Sequence, residues 1–454
     1  MPRQTFTRRR WLAAIVGGVT AGCGGRSATA DATSSPRAAT TEPPVTTTAS
    51  SDPVGAQDAN PSFEQGSGAC SLGAASIADG TWPMTHRDPS GTNAAPAVNG
   101  PTAFPLNERW TMSALDAQVT FPVADDQFVY LVAADADADP SVPQSAVLCH
   151  DPRLTGEIQW RHRIDATPIG PPVVAGSAVY VPFGTQDDAR IVAIDRAEGS
   201  LVTTYDLPGR FVGELASAGP SLMIPTQQAY RVVDARTGDH CWSFTPNRVR
   251  EADRRDRNIR AAAVGDGVAY VGTGYPDGDQ ATESGHLYAV DPSVGGVRWQ
   301  ASLDGPVGRL AVSDGVVVAT TGHGLVGFGA ETGERRWSAP AEAGVRPATL
   351  AVADGTAVYG TRRTLHGLDT ASGTERWSLP FGVHGDVIFV GDVLFGVGRS
   401  DPTTNRLSLA AVDAASGTQR WRQEIYDPIV DVMAANGYLY AITTDGSLFA
   451  FGSV

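Results

Sequence analysis

Apolar positions recur every second residue in short runs along most of this chain, and each run is closed by a turn. The stretch from Gly355 to Trp377, GTAVYGTRRTLHGLDTASGTERW, shows the unit. Ala357 to Gly360 and Thr364 to Asp369 read as strands, and a third strand carrying Trp377 follows a tight corner. Asp369 ends its strand, and Ser372 and Gly373 close the corner. Asp and Ser side chains bond nearby backbone groups in such corners, and glycine supplies the positive φ that a sharp reversal needs.

The unit repeats. An acidic strand end, a glycine four residues on and a tryptophan four beyond it occur at Asp234-Gly238-Trp242, Asp291-Gly295-Trp299, Asp369-Gly373-Trp377 and Asp413-Gly417-Trp421. Gly333 and Trp337 follow Gly329 in place of the acid, and Asp151, Gly156 and Trp160 carry one inserted residue. Asp195 and Gly199 are followed by Thr203 where tryptophan stands elsewhere, which reads as a degraded copy. Trp110, in NERWTM, adds one more mark with no strands ahead of it. Seven of the nine tryptophans thus hold one repeat position, and with Thr203 the marks lie 38 to 57 residues apart, the spacing of four-stranded propeller blades. After Trp421 three further strands are expected, Asp431 to Ala434, Tyr438 to Ile442 and Ser447 to Phe451, without a fourth. The orphan strand Asn107 to Met112 complements them. The pattern therefore predicts an all-β, eight-bladed β-propeller of four-stranded antiparallel blades over residues 107–454, its ring closed by an N-terminal strand that completes the last blade and leaves no open edge. An open solenoid or a two-sheet sandwich array would not need complementary ends.

The amino terminus follows other rules. Residues 1–22 combine arginines with a weakly apolar run of about eleven residues, too short to span a bilayer as a helix, and read as a targeting segment. Thr7 to Leu12 resembles a twin-arginine signal, and Thr20-Ala21-Gly22-Cys23 resembles a lipobox, so Cys23 is the expected lipidation site; a cleaved secretory signal is the alternative. Residues 23–80, rich in Ser, Thr, Ala and Pro, hold too few large apolar side chains to fold and read as a disordered tether, and 81–106 as a lead-in to the propeller. The expected location is extracytoplasmic, anchored to the outer face of the cytoplasmic membrane.

Acidic residues number 49 and basic ones 34, none of them lysine, for a net charge of -15; loss of residues 1–22 removes four arginines and no acid, giving -19. That balance excludes a nucleic-acid binder and suits a high-salt setting, where solvated carboxylates keep proteins apart. With Cys23 committed to lipid, Cys70, Cys149 and Cys241 leave an odd number, so at least one thiol is expected to stay free, and no Cys-x-x-Cys metal framework is present.

The Asp-x-x-Thr/Ser-Gly-x-x-x-Trp turn, as in Asp234 to Trp242, resembles the tryptophan-docking repeat of PQQ-type propellers, with Val294 departing at the Thr/Ser position. Trp82-Pro83-Met84 with Arg87-Asp88 and Asn93 is similar to the lead-in of lipoprotein members of that family. The resemblance, over residues 82–454, implies the propeller fold and two functional branches: quinoprotein dehydrogenases that bind pyrroloquinoline quinone (PQQ) and calcium, and BamB-like lipoproteins that bind partner proteins and no quinone. The dehydrogenases carry an adjacent cysteine pair over the quinone, which this sequence lacks, and their calcium ligands and catalytic aspartate match no position here.

Other candidate chemistry resolves into architecture. Gly322-His323-Gly324-Leu325-Val326-Gly327 matches a dinucleotide fingerprint but sits in a blade hairpin with no helix to follow it. Asp135, Asp137 and Asp139 begin like a calcium loop, yet Pro140 and Ala146 occupy the glycine and glutamate positions; Asp277, Asp279 and Glu283 form a second acidic loop. Both are read as solvated. Arg248, Arg250, Arg254, Arg255, Arg257 and Arg260, interleaved with Glu251, Asp253 and Asp256, are read as self-neutralising pairs or as a docking patch for an acidic partner. His366 falls where Tyr288 and Leu148 stand in other copies and reads as packing. No catalytic, cofactor-binding or metal residue is assigned. The expected function is a monomeric, non-catalytic binding or assembly scaffold with an envelope protein partner. A divergent PQQ-dependent dehydrogenase is the alternative, and a carbohydrate-active enzyme with an acidic central cleft is a third reading.

Overall fold

The computed structural model describes residues 61–453 apart from 69, 71, 73–76, 113–116, 120, 136–144, 154–156, 186–187, 208, 228, 247–257, 275–284, 342–346, 400–405, 426–428 and 445. Cys23, the targeting segment and most of the tether lie outside the described residues, as do both acidic loops beyond Asp135 and the arginine cluster apart from Arg260.

Eight antiparallel sheets follow one another along the chain. Their innermost strands begin, in order, at Ala117, Val173, Ala216, Asn258, Leu310, Thr349, Gly382 and Ile429, and we number the blades 1 to 8 accordingly. Blade 8 has three strands of its own, ending at Leu448–Ser453, and receives Leu106–Met112 as its outer strand, with Leu106 opposite Ser453 and Met112 opposite Leu448. The first and last parts of the ring are thereby joined by backbone hydrogen bonds. Between neighbouring blades the facing apolar side chains form separate layers: Ala311, Val318 and Leu325 of blade 5, for example, pack with Leu350, Val352 and Tyr359 of blade 6. A single blade has two apolar faces and could not bury them alone.

The repeat turn welds one blade to the next. Asp369 accepts the Ser372 N–H at 2.8 Å while the Gly373 N–H bonds the Asp369 carbonyl at 2.7 Å, and the same pair of contacts holds the corners at Asp234 and Asp413. The glycine sits at φ +70 and its bare Cα receives the indole of the preceding blade: a Cβ on Gly199, Gly333, Gly373 or Gly417 would lie 2.5 to 2.6 Å from a ring atom of Trp160, Trp299, Trp337 or Trp377. Each indole N–H then donates to the carbonyl just after the strand end of that next blade, from Trp110, Trp160, Trp299, Trp337 and Trp377 to Pro152, Arg196, Ala330, Thr370 and Ala414 at 2.8 to 3.0 Å. The tryptophan therefore covers a neighbour's turn and not its own.

Three junctions deviate. The copy read as degraded at Thr203 keeps the contact through Tyr205, two residues on and on the same face of the strand, whose ring lies over Gly238 and whose hydroxyl donates to the Ala235 carbonyl at 2.7 Å. Trp242 meets Phe63 instead of the next turn, ring centroids 5.6 Å apart, and Trp421 meets Phe104 at 5.8 Å. Phe63 belongs to a strand, Ser62–Gln65, that lies within the expected tether and pairs antiparallel with the outer strand of blade 3 as a fifth member. Cys70 is disulfide-bonded to Cys241 on that outer strand, while Cys149 is free and buried, its thiol pushed up by burial. A cross-link closing so long a loop stabilises by roughly 2 to 5 kcal/mol.

A bulge precedes every docking residue, as between Gly367 and Leu368, where Trp377 and Glu375 are the partners and Arg376 is left over. The displaced arginine reaches back to the turn: Arg376 to Asp369 at 2.6 Å, Arg420 to Asp413, Arg298 to Asp291. Arg376 and Ser372 draw the Asp369 carboxyl down to about 2, and Arg420 with Ser416 does the same at Asp413. Folded-state values below the unfolded ones mean that these carboxylates stabilise the ring at pH above about 4 and that the contribution disappears as pH falls towards 2. The stability deficit of an Asp369→Asn/Asp413→Asn variant, measured by urea unfolding, should accordingly be largest at neutral pH and shrink steadily as pH falls through 4 towards 2; a deficit independent of pH would contradict the assignment.

Candidate functional site

The innermost strands of a propeller present one edge to the central channel, and every N–H and C=O on that edge needs a partner. Here the lead-in provides them. Trp82, Pro83, Pro89, Ser90, Thr92 and Asn93 offer their carbonyls, in that order, to the N–H groups of Ala124, Val174, Val264, Val312, Val352 and Phe389, at 2.6 to 2.9 Å. These acceptors' partners occupy one position of the repeat, two residues before the first hairpin corner, in blades 1, 2, 4, 5, 6 and 7. Ala94 and Ala95 continue as a short strand parallel to Phe389 and Val390.

Asn99 clasps the two ends of this belt. Its side-chain oxygen accepts the Gly80 N–H at 2.8 Å and its amide donates to the Thr81 carbonyl at 2.8 Å and to Ala434 of blade 8 at 3.2 Å. Gly437 and Asn436 of the same blade bond the Asn99 and Gly80 carbonyls. The lead-in thus makes a complete circuit of the ring. Trp82, fully buried, and Met84, 2% exposed, anchor it between blades.

Three residues deeper along the innermost strands, the equivalent positions diverge. Phe121, Pro171, Ala261 and Thr349 stand in blades 1, 2, 4 and 6, but Glu214, Arg309, Asp386 and Asp431 in blades 3, 5, 7 and 8. His86 descends from the belt into this layer. Arg309 pairs with Asp386 at 2.9 Å and donates to His86 Nε2 at 2.8 Å; Glu214 lies 3.3 Å from that nitrogen, and His86 Nδ1 is 3.2 Å from the Asn93 side-chain oxygen. A tautomer that accepts at Nε2 and donates from Nδ1 satisfies both bonds. Burial, and then the charge of Asp386, hold the Asp431 carboxyl well above the usual range. Burial opposes the Arg309 charge, but Asp386, Glu214 and Asp431 outweigh it and raise the guanidinium further. In the belt, burial likewise pushes up Asp88, which accepts both the N–H and the hydroxyl of Thr92.

Three carboxylates from separate blades surround one guanidinium here: Arg309 pairs with Asp386, Glu214 lies beside the His86 ring, and Asp431 is held towards its neutral form. Among the described residues no group of three His, Cys, Asp or Glu side chains is arranged to hold a metal ion. A quinone bearing carboxylates would meet three acids in this layer, with Arg309 already engaged, so the residues present do not fit PQQ. A pocket of about 320 Å³ lies elsewhere, between blades 5 and 6, lined by Asp354, Asp369 and Arg376 among others.

The repeat-turn residues found by spacing, Asp234, Asp291, Asp369 and Asp413 with their glycines and tryptophans, sit at the blade junctions, remote in role from the channel layer. Gly324 to Gly329 form a blade 5 strand. His366 stacks on Tyr359 with ring centroids 4.7 Å apart and bonds Glu375 at 2.8 Å. Glu214, Arg309, Asp386 and Asp431 carry no signal in the turn spacing; their common mark is a place three residues before the capture position of each innermost strand.

Belt and ring together define an eight-bladed propeller of the PQQ type. A family model described as "Outer membrane protein assembly factor BamB" matches residues 143–379 and 364–453, and the chain belongs to this family of BamB-like, PQQ-type repeats. No curated protein matches it in sequence. Among solved structures, BamB from Moraxella catarrhalis is similar with a TM-score of 0.54 at 15% identity, over 77% of this chain and 98% of its own. A europium-containing methanol dehydrogenase reaches 0.63 at 12% identity, over 82% and 98%, and the quinohemoprotein alcohol dehydrogenase from Comamonas testosteroni 0.57 at 15%, over 84% and 82%. At such identities the likeness is one of fold.

Replacing Asn99 by Ala would strand the Gly80 N–H and the Thr81 carbonyl, a cost of roughly 1 to 3 kcal/mol for buried groups left unpaired. Chemical denaturation should show that loss, together with faster proteolysis within residues 80–100 under native conditions; unchanged cleavage would show that the belt closes without its clasp.

Proposed function

We propose that the chain is a non-catalytic extracytoplasmic binding or assembly scaffold, held by lipid on Cys23 at the outer face of the cytoplasmic membrane, which engages an envelope protein partner through its rim. The observation that carries this reading is the belt: the chain's own lead-in lies across the innermost strands of the ring, and Arg309 in the charged layer beneath it is already engaged by Asp386 and His86. Family membership is compatible with both the scaffold and the dehydrogenase branches. The missing cysteine pair and the three carboxylates facing the axis favour the scaffold.

Titrating the full-length protein with PQQ and calcium, while following quinone absorbance and dye-linked alcohol oxidation, should give neither tight binding nor turnover. Micromolar binding, or oxidation that depends on the quinone, would replace this reading with the dehydrogenase one. For the anchor, cells fed a clickable palmitate should label the wild-type protein and recover it with membranes, whereas Cys23→Ala should be unlabelled and released; label on both would sink the assignment.

A further inference from the structure

Strands alternate in direction, so the belt and the repeat turns occupy one face of the ring, and the other face carries the corners between second and third strands and the crossings from blade to blade. Between blades 6 and 7 this second face gathers two arginines and an imidazole: Arg362 in a blade 6 corner, His384 in the innermost strand Gly382–Val390, and Arg399 at the end of Val393–Arg399. Backbone packing brings them together. Gly382 is the register partner of Arg399, and the Val383 N–H donates to the Thr361 carbonyl at 2.8 Å. A Cβ on Gly382 would fall 2.0 Å from the Arg362 carbonyl oxygen, so only glycine allows this approach. Thr361 Oγ1 accepts the N–H groups of Arg363 and Thr364 and fixes the corner.

Several arginines elsewhere are answered by acids: Arg298, Arg309, Arg376, Arg406 and Arg420 each pair with a carboxylate. Among the described residues, none of Arg362, His384 and Arg399 makes an ion pair or a side-chain hydrogen bond, and Arg399 Nε is covered and unpartnered. His384 is held below its ordinary range by burial and by the charges of Arg399 and Arg362. A covered guanidinium N–H with no acceptor among the described residues, beside a second guanidinium, is costly. A planar oxyanion matches the geometry of a guanidinium fork and would supply the missing acceptors.

We propose that Arg362, His384 and Arg399 form a binding site for an oxyanion, a phosphate or carboxylate group carried by a small ligand, on this second face between blades 6 and 7. The site lies apart from the belt and the axial cluster, and its failure would leave the scaffold reading untouched. A bound anion offsets the arginine charges that hold the imidazole down, so it is readable at His384 itself.

The test follows the His384 imidazole by NMR in the full-length protein, titrated with inorganic phosphate, acetate or chloride at constant ionic strength. Phosphate or acetate should raise the apparent pKa of His384 by about half a unit or more. A response to phosphate alone names a phosphate group as the ligand, and a response to acetate a carboxylate. Arg399→Gln should weaken the response roughly tenfold or more in anion concentration, and exposed Arg362→Gln should weaken it as well, with thermal melts confirming that both variants fold. No shift, a chloride shift of equal size, or a wild-type response in Arg399→Gln would overturn the proposal.

Discussion

Four of the eight blade junctions are held by an indole laid on a glycine that belongs to the next blade. The contact needs three things at once: a turn sharp enough to require positive φ, a residue without Cβ at its apex, and a carbonyl placed to accept the indole N–H. Asp369, Gly373 and Trp337 show how one local motif meets all three, since the aspartate shapes the turn that the preceding tryptophan covers. Because the contact joins successive blades, loss at one junction bears on the whole closed ring. The substitutes are informative for that reason. Tyr205 reaches the same kind of carbonyl from two residues further along its strand, and Phe63 and Phe104 arrive from outside the repeats to cover Trp242 and Trp421.

The centre of the ring obeys a second constraint. Inner edges would expose unpaired backbone groups, and the lead-in satisfies those of six blades at a single repeat position. Regularity in the propeller thus allows a twenty-residue segment with no repeat of its own to bond to one blade after another. Beneath it, the same regularity places Glu214, Arg309, Asp386 and Asp431 in one layer, where four separate sequence positions become one electrostatic unit with His86. Identity of position makes the scaffold, and difference of residue at that position makes the site.

Much of this was legible in the chain. The Asp, Gly and Trp spacing counts the blades, and the complementary ends, Asn107 to Met112 against three strands after Trp421, predict the closure that the pairing of Leu106–Met112 with Leu448–Ser453 shows. The Thr203 copy was harder to read: a fixed spacing rule cannot see that Tyr205, on the same strand face, does the work. The fifth strand at Ser62–Gln65 was invisible for a related reason, because four residues of mixed polarity in a Ser- and Gly-rich stretch carry no pattern of their own and form a strand only against the edge offered by blade 3.

What the sequence determined by itself is everything carried by local periodicity and turn chemistry: strands, corners, the number of blades and the partner of the orphan strand. Those signals act within about forty residues and repeat, so each copy reinforces the next. Which residues face one another across the axis was decided only when the ring closed. Asn99 meeting Gly80, Arg309 meeting Asp386 and His86, Cys70 meeting Cys241, and Arg362 lying beside His384 and Arg399 all depend on the angle through which successive blades rotate, a quantity that no short stretch of the chain contains.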